Sequence, residues 1–177
     1  MLEVSLQTTF AAPWTRMPPV RVGQTPTDLG TPDVYGLVQS EGEPLMRIDV
    51  YMSSPECFAF EEALVWSDFI IIGYGSHVYL ISLANSHICT FSLEGYFGHF
   101  YPAKQFLLIA SASHLHCVDT AGLLQWTSEC LGIDGVMVDE ITEDFITGQG
   151  EWNPPGGWKP FEVNVQTGKI HTNSESL

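Results

Sequence analysis

The sequence predicts an all-β fold built of antiparallel meander units, and three observations carry the prediction. Laid on each other at a spacing of 37 residues, FIIIGYGSHVYLISLANSHIC and FLLIASASHLHCVDTAGLLQW share Phe69/Phe106, Ile72/Ile109, Ser76/Ser113, His77/His114 and Ala84/Ala121. Each copy has an apolar run (Phe69 to Ile72, Phe106 to Ile109), small residues, a second β-rich run (Val78 to Leu83, Leu115 to Val118), a turn and a third run. A third unit starts at Asp134, with Val136, Val138 and Ile141, then Phe145 to Gly148, then Phe161 to Val165. Its closing VNVQTGKI parallels CVDTAGLLQW in strand, Thr, Gly, strand order.

Upstream of the repeats, Glu3 to Phe10 alternates Val4, Leu6 and Thr8 with Glu3, Ser5 and Gln7, the pattern of a half-exposed strand. From residue 11 to 32, five prolines and two glycines remove backbone donors and disfavour helix, which predicts an irregular, Pro-rich arm or cover. Asp33 to Val38 and Leu45 to Met52 flank Ser40-Glu41-Gly42-Glu43-Pro44, a loop between two strands of a hairpin. Ser53 to Glu56 reads as a turn, and Cys57 to Trp66 as a short helix or loop with Ser54 as its cap. Glu94 to Pro102 reads as an aromatic linker between the repeats whose rings either tuck into the core, the commoner fate, or are presented to a ligand. Thr172 to Leu177 reads as a frayed tail. At 177 residues the chain is expected to be one domain, 1–177, with the repeat region at 67–171.

Strand, Asp or Asn, Thr-Gly, strand resembles the blades of β-propeller proteins of the quinoprotein-like and WD40-like kinds, in which such a turn joins the outer strands of a four-stranded blade. The resemblance covers roughly 67–171 and implies three propeller-blade-like repeats. Trp126 stands where the quinoprotein pattern has a docking tryptophan, but its counterpart in the first copy is Cys89. Three units fall short of the 4 to 8 blades of a closed ring. A β-sandwich or a partial, propeller-like stack of sheets is therefore the expected architecture.

Charge bounds the partners. Six Lys and Arg against 21 Asp and Glu give a net charge of −15, which repels phosphates and anionic lipid and speeds encounter with a basic protein. The expectation is a basic protein partner, no nucleic acid and no membrane. Cys57, Cys89, Cys117 and Cys130 form no CxxC pair and read as reduced thiols, three of them in or beside apolar runs. The first residues lack a basic and apolar leader pattern, and no stretch reaches the roughly 18 apolar residues of a span. A cytoplasmic location is expected.

Candidate site residues fall in three groups. His114 and His116 share one side of a strand, with His77 as the repeat equivalent and His99 nearby. The repeated Ser-His after a strand reads as a turn whose hydroxyl and imidazole satisfy backbone groups rather than as a metal site, so no metal and no cofactor are expected. Asp139, Glu140, Glu143 and Asp144 cluster around Ile141 without the spacing of a calcium loop, and read as a solvated acidic face. Glu151-Trp152-Asn153-Pro154-Pro155-Gly156-Gly157-Trp158 sets two Trp around a stiff reversal that either braces the body or recognises a partner. This segment resembles one found in small uncharacterised bacterial proteins, toxin-immunity proteins among them.

No GxSxG, HExxH, P-loop or GxGxxG is present, so catalysis is not the expectation. The first reading is a non-enzymatic protein-binding module, most concretely an immunity or inhibitor protein neutralising a basic toxin. Its contacts would be Trp152, Trp158, Glu151, Asp139, Glu140, Glu143, Asp144, Tyr96 and Tyr101. The alternatives are a β-fold enzyme or small-ligand binder with an aromatic pocket, using Glu151, His99 or His114 as acid-base groups, and a structural scaffold module.

Overall fold

The computed structural model describes residues 1–24, 30–52 and 60–171. Strands make up its regular structure, apart from one 3-10 turn at Trp14–Arg16. Contacts divide the chain into two compact units, Met1–Ser92 and Leu93–Leu177. Each unit is two small sheets that share one apolar core, a two-layer solution for elements that bury a face.

In the first unit, β1 (Leu2–Gln7), β2 (Val20–Gly23), β3 (Val34–Ser40) and β4 (Glu43–Tyr51) form sheet A in the order β1-β3-β4-β2. Sheet B is the meander β5 (Glu61–Trp66), β6 (Phe69–Tyr74), β7 (His77–Ser82) and β8 (Ile88–Ser92). Val22, Val38, Ile48 and Val50 of sheet A pack with Ile70, Ile72, Tyr79 and Ile81 of sheet B. Ile71, Val78 and Leu80, on the opposite side of sheet B, are also fully buried. That is why the run FIII shows no polar alternation.

Two expectations change here. Part of the Pro-rich arm is regular: Val20–Gly23 pairs with β4, in parallel, so sheet A is mixed rather than purely antiparallel. Trp66 and its neighbours are not helical: Glu61–Trp66 is a strand, paired residue by residue from Glu61↔Tyr74 to Trp66↔Phe69. Pairing with the apolar strand β6 overrides the weak helical pattern, as tertiary context often does. The readings on Ser53 to Ala59, including the Ser54 cap and Cys57, and on Thr172 to Leu177 lie outside the described residues.

In the second unit, sheet C is the meander β9 (Phe97–Pro102), β10 (Phe106–Ser111), β11 (Leu115–Asp119) and β12 (Leu124–Thr127). The expected linker is thus largely strand β9, and its Phe97 and Phe100 are buried. Sheet D is β13 (Val136–Ile141), β14 (Phe145–Glu151) and β15 (Trp158–Asn164), with a bridge from Val163 to Ile170 in place of a full fourth strand. Leu108, Ala110, Leu115 and Cys117 of sheet C share a core with Val136, Ile146 and Val163 of sheet D. In β13 the inward residues are Val136, Val138 and Ile141; the step from two to three is a β-bulge between Val138 and Glu140.

The third-to-fourth strand turn repeats in chemistry as well as in sequence. Asp119 Oδ1 accepts the N–H groups of Ala121 and Leu123, both at 2.9 Å. Asn164 Oδ1 accepts those of Gln166 and Thr167 at 3.0 and 3.1 Å. Ser82 Oγ takes only that of Ala84, at 3.3 Å. A left-handed residue closes each turn: Ser86 (φ 57), Gly122 (φ 80) and Gly168 (φ 66). These positions explain the Thr-Gly signature, because side chains rarely adopt that backbone region.

Trp126 joins the two sheets of the second unit. Its indole Nε1 donates to Val165 O at 2.9 Å. Its ring lies so close to Gly168 that a Cβ there would sit 2.3 Å from Cε3. Trp126→Ala is expected to cost about 3 kcal/mol. Gly168→Ala should cost about 1 kcal/mol for its left-handed backbone, plus the collision with the ring. Urea denaturation of the double variant should show less than the summed loss, since without the ring there is nothing to collide with; strict additivity would contradict this packing.

Candidate interaction face on sheet D

Pairing register decides which side chains of sheet D stand together. Glu151 N–H donates to Gly135 O at 2.8 Å just before β13, and Glu151 pairs with Trp158. Next come Met137, Gln149 and Pro160, then Glu140, Thr147 and Glu162. Side chains alternate across a strand, so these rows share the face opposite the core residues Val136, Ile146 and Val163. The bulge adds Asp139 to that outer face, where its Oδ2 accepts Gln149 Nε2 at 3.3 Å.

The face mixes exposed apolar side chains on its flanking strands β13 and β15 with polar and acidic ones, Glu151, Gln149 and Thr147, along the central strand β14. Trp158 is 45% exposed and Met137 47%. Trp158 lies across the sheet toward Gly135, where a Cβ would stand 3.3 Å from its ring. Asp139, Glu140, Glu151 and Glu162 are the carboxylates of the same face. His171 Nδ1 lies 2.8 Å from Glu162. Pro160 faces the open part of the β15 edge, where it offers no N–H for another strand to pair with. The rest of that edge is covered, with His171 N–H donating to Glu162 O and Asn164 N–H to Lys169 O.

The predicted contact residues therefore separate. Trp158, Glu151, Asp139 and Glu140 come together on one face. Trp152 sits in the hairpin loop 152–157, where its N–H donates to Gly157 O and its O accepts Gly156 N–H, at 2.8 and 2.7 Å. Lys159 Nζ stands 5.6 Å from the Trp152 ring centroid. Glu143 and Asp144 are exposed in the turn at the other end of the sheet, roughly 25 Å along β14 from Glu151 at the usual rise per residue. Tyr96 and Tyr101 brace β13: Tyr96 OH donates to Asp134 O at 2.6 Å, and Tyr101 OH accepts Val138 N–H at 3.1 Å. Met137 and Glu162 belong to the face but were not among the expected residues. Met137 was hidden because it lies between Val136 and Val138, and only the alternation of β13 marks it as outward.

The histidines satisfy local groups. Ser76 Oγ and Ser92 Oγ lie 3.1 and 3.2 Å from the two ring nitrogens of His77. Ser113 Oγ is 2.7 Å from His114 Nδ1, and Thr127 Oγ1 is 3.0 Å from His116 Nδ1. His116 Nε2 is buried without a hydrogen-bond partner. Burial, and secondarily the charge of His114, push His116 down to about 4. Burial, then Asp119, pushes the Cys117 thiol up to about 11, well away from the reactive thiolate form. Cys89, Cys117 and Cys130 are free thiols. Among the described residues no three His, Cys, Asp or Glu group as a metal site, and no helix is long and apolar enough to cross a membrane.

Compared with known proteins, the chain matches no protein-family model and no curated sequence.

His116 gives the unit a pH dependence of defined sign. Unfolded, the ring takes up a proton near 6.5, but folded only near 4. Between those values the unfolded chain binds more protons, so stability is full above pH 6.5 and falls as pH drops toward 4. The loss is about 3 kcal/mol, at 1.36 kcal/mol per unit. Denaturation midpoints of wild type and His116→Gln should diverge in slope over this window, with the variant flatter. Parallel profiles would show that the ring is not held neutral.

Proposed function

We propose that the chain is a non-enzymatic protein-binding module that captures a basic partner on the outer face of sheet D. In its most concrete form it is an immunity or inhibitor protein that neutralises a cationic toxin in the bacterial cytoplasm. One observation carries the reading: Trp158 and Met137 are exposed on a single face that also carries the carboxylates Asp139, Glu140, Glu151 and Glu162. Large exposed aromatics dominate binding hot spots, and a carboxylate rim steers a cation without requiring its charges to be buried. The net charge of −15 supports the same choice and disfavours nucleic acid and anionic membrane as partners. The Tyr96 and Tyr101 hydroxyls hold the β13 backbone, which fixes the face without occupying it.

The test compares wild type with a variant carrying Asp139→Lys, Glu151→Lys and Glu162→Lys as baits in the source lysate, followed by kinetics on the purified partner. A basic protein retained by wild type and lost by the variant is expected. Its association rate should fall with added salt, whose screening length is about 8 Å at physiological ionic strength. Trp158→Ala should raise the dissociation rate about thirtyfold, or ~2 kcal/mol, with little change in melting temperature. Retention by both baits, a salt-independent association rate, or a Trp158→Ala variant that melts early but binds normally would contradict the proposal.

A further inference from the structure

The outer side of sheet A, in the first unit, carries a cleft of about 330 Å³. Tyr35 pairs with Asp49 across β3 and β4, and Arg21 pairs with Asp49 across β2 and β4, so the three side chains form one row. Arg47 and Tyr51, two residues either side of Asp49, share that face, and Thr31 completes the polar lining. The chain has only six Lys and Arg, and two of its three arginines line this one cleft.

The two arginines differ. Arg47 is fixed: Nε and Nη2 donate to the two oxygens of Asp49 at 2.7 and 2.8 Å, and the guanidinium lies 4.5 Å from the Phe10 ring centroid and 5.7 Å from that of Tyr35. Asp49 is 3% exposed, so losing Arg47 would leave its buried charge unpaired. That bidentate pair uses two of the five N–H donors of a guanidinium and leaves three. Arg21 is exposed and forms no ion pair with a described residue. Among the described lining residues Asp49 offsets Arg47, which leaves the charge of Arg21, against the sign of the whole chain. The packing of sheet A explains Arg47 but gives no reason for Arg21 beside it.

We propose that this cleft binds a small molecule through an oxyanion, a carboxylate or a phosphate, held between Arg21 and the remaining donors of Arg47. The planar guanidinium fork matches both oxyanions, and Tyr35 and Tyr51 flank the rest of the ligand. The volume is at the small end of pockets for organic ligands, about 300 to 1,000 Å³. The site is independent of the sheet D face.

The test titrates the full chain with inorganic phosphate and, separately, with acetate, following arginine Nε–Hε resonances by NMR. Saturable shifts at Arg21 and Arg47 are expected with at least one probe, and which probe saturates tells phosphate from carboxylate. Arg21→Gln should weaken binding about tenfold. Arg16→Gln, which changes an arginine outside the cleft, should bind as wild type does. Shifts that stay linear with both probes, an Arg21→Gln variant that binds normally, or equal weakening by Arg16→Gln would overturn the proposal.

Discussion

Trp126 is in contact with both sheets of the second unit: its backbone pairs with Cys117 of β11, while its indole hydrogen-bonds Val165 O and its ring covers Gly168. Short antiparallel sheets bury too little to stand alone, and each needs a second layer. Sheet D is the more dependent, because its fourth strand is reduced to one bridge. The indole seals the turn that follows β15, where a fuller strand would otherwise lie. Tyr96 and Tyr101 do similar work along β13. With one side of sheet D held in this way, the other is left for solvent or a partner.

Much of this architecture was legible in the residues. The 37-residue spacing corresponds to β6 and β10, which begin at Phe69 and Phe106 and are both six residues long. Asp119 and Asn164 close equivalent turns, whereas the Ser-His pairs, expected to satisfy backbone groups, bond side chain to side chain. What escaped depended on partners distant in sequence. Glu61–Trp66 becomes a strand because β6 is beside it, and Val20–Gly23 because β4 offers an edge. For the aromatics from Phe97 to Tyr101 burial was the favoured reading over presentation to a ligand, and Phe97 and Phe100 are buried, but their backbone pairing was not visible in composition.

The candidate face was half legible for the same reason. Trp158 and Glu151 stood out as unusual local sequence, and Asp139 and Glu140 as a run of acids. That the four share a face follows only from register, together with a bulge that turns Asp139 outward. Glu143 and Asp144 belong to the same run, yet lie at the far end of the sheet. The Arg21 and Arg47 cleft was invisible, since MRIDVY reads as a strand whose alternate residues point anywhere until β2 and β3 are placed beside it.

Hydrogen exchange at the indole N–H groups tests directly whether Trp126 joins the two sheets while Trp158 stands on an open face. Trp126 Nε1–H should exchange slowly, only through unfolding of the unit, whereas Trp158 should exchange at close to the rate of a solvated indole. A Trp126 indole that exchanges as fast as that of Trp158 would show that it does not join the sheets.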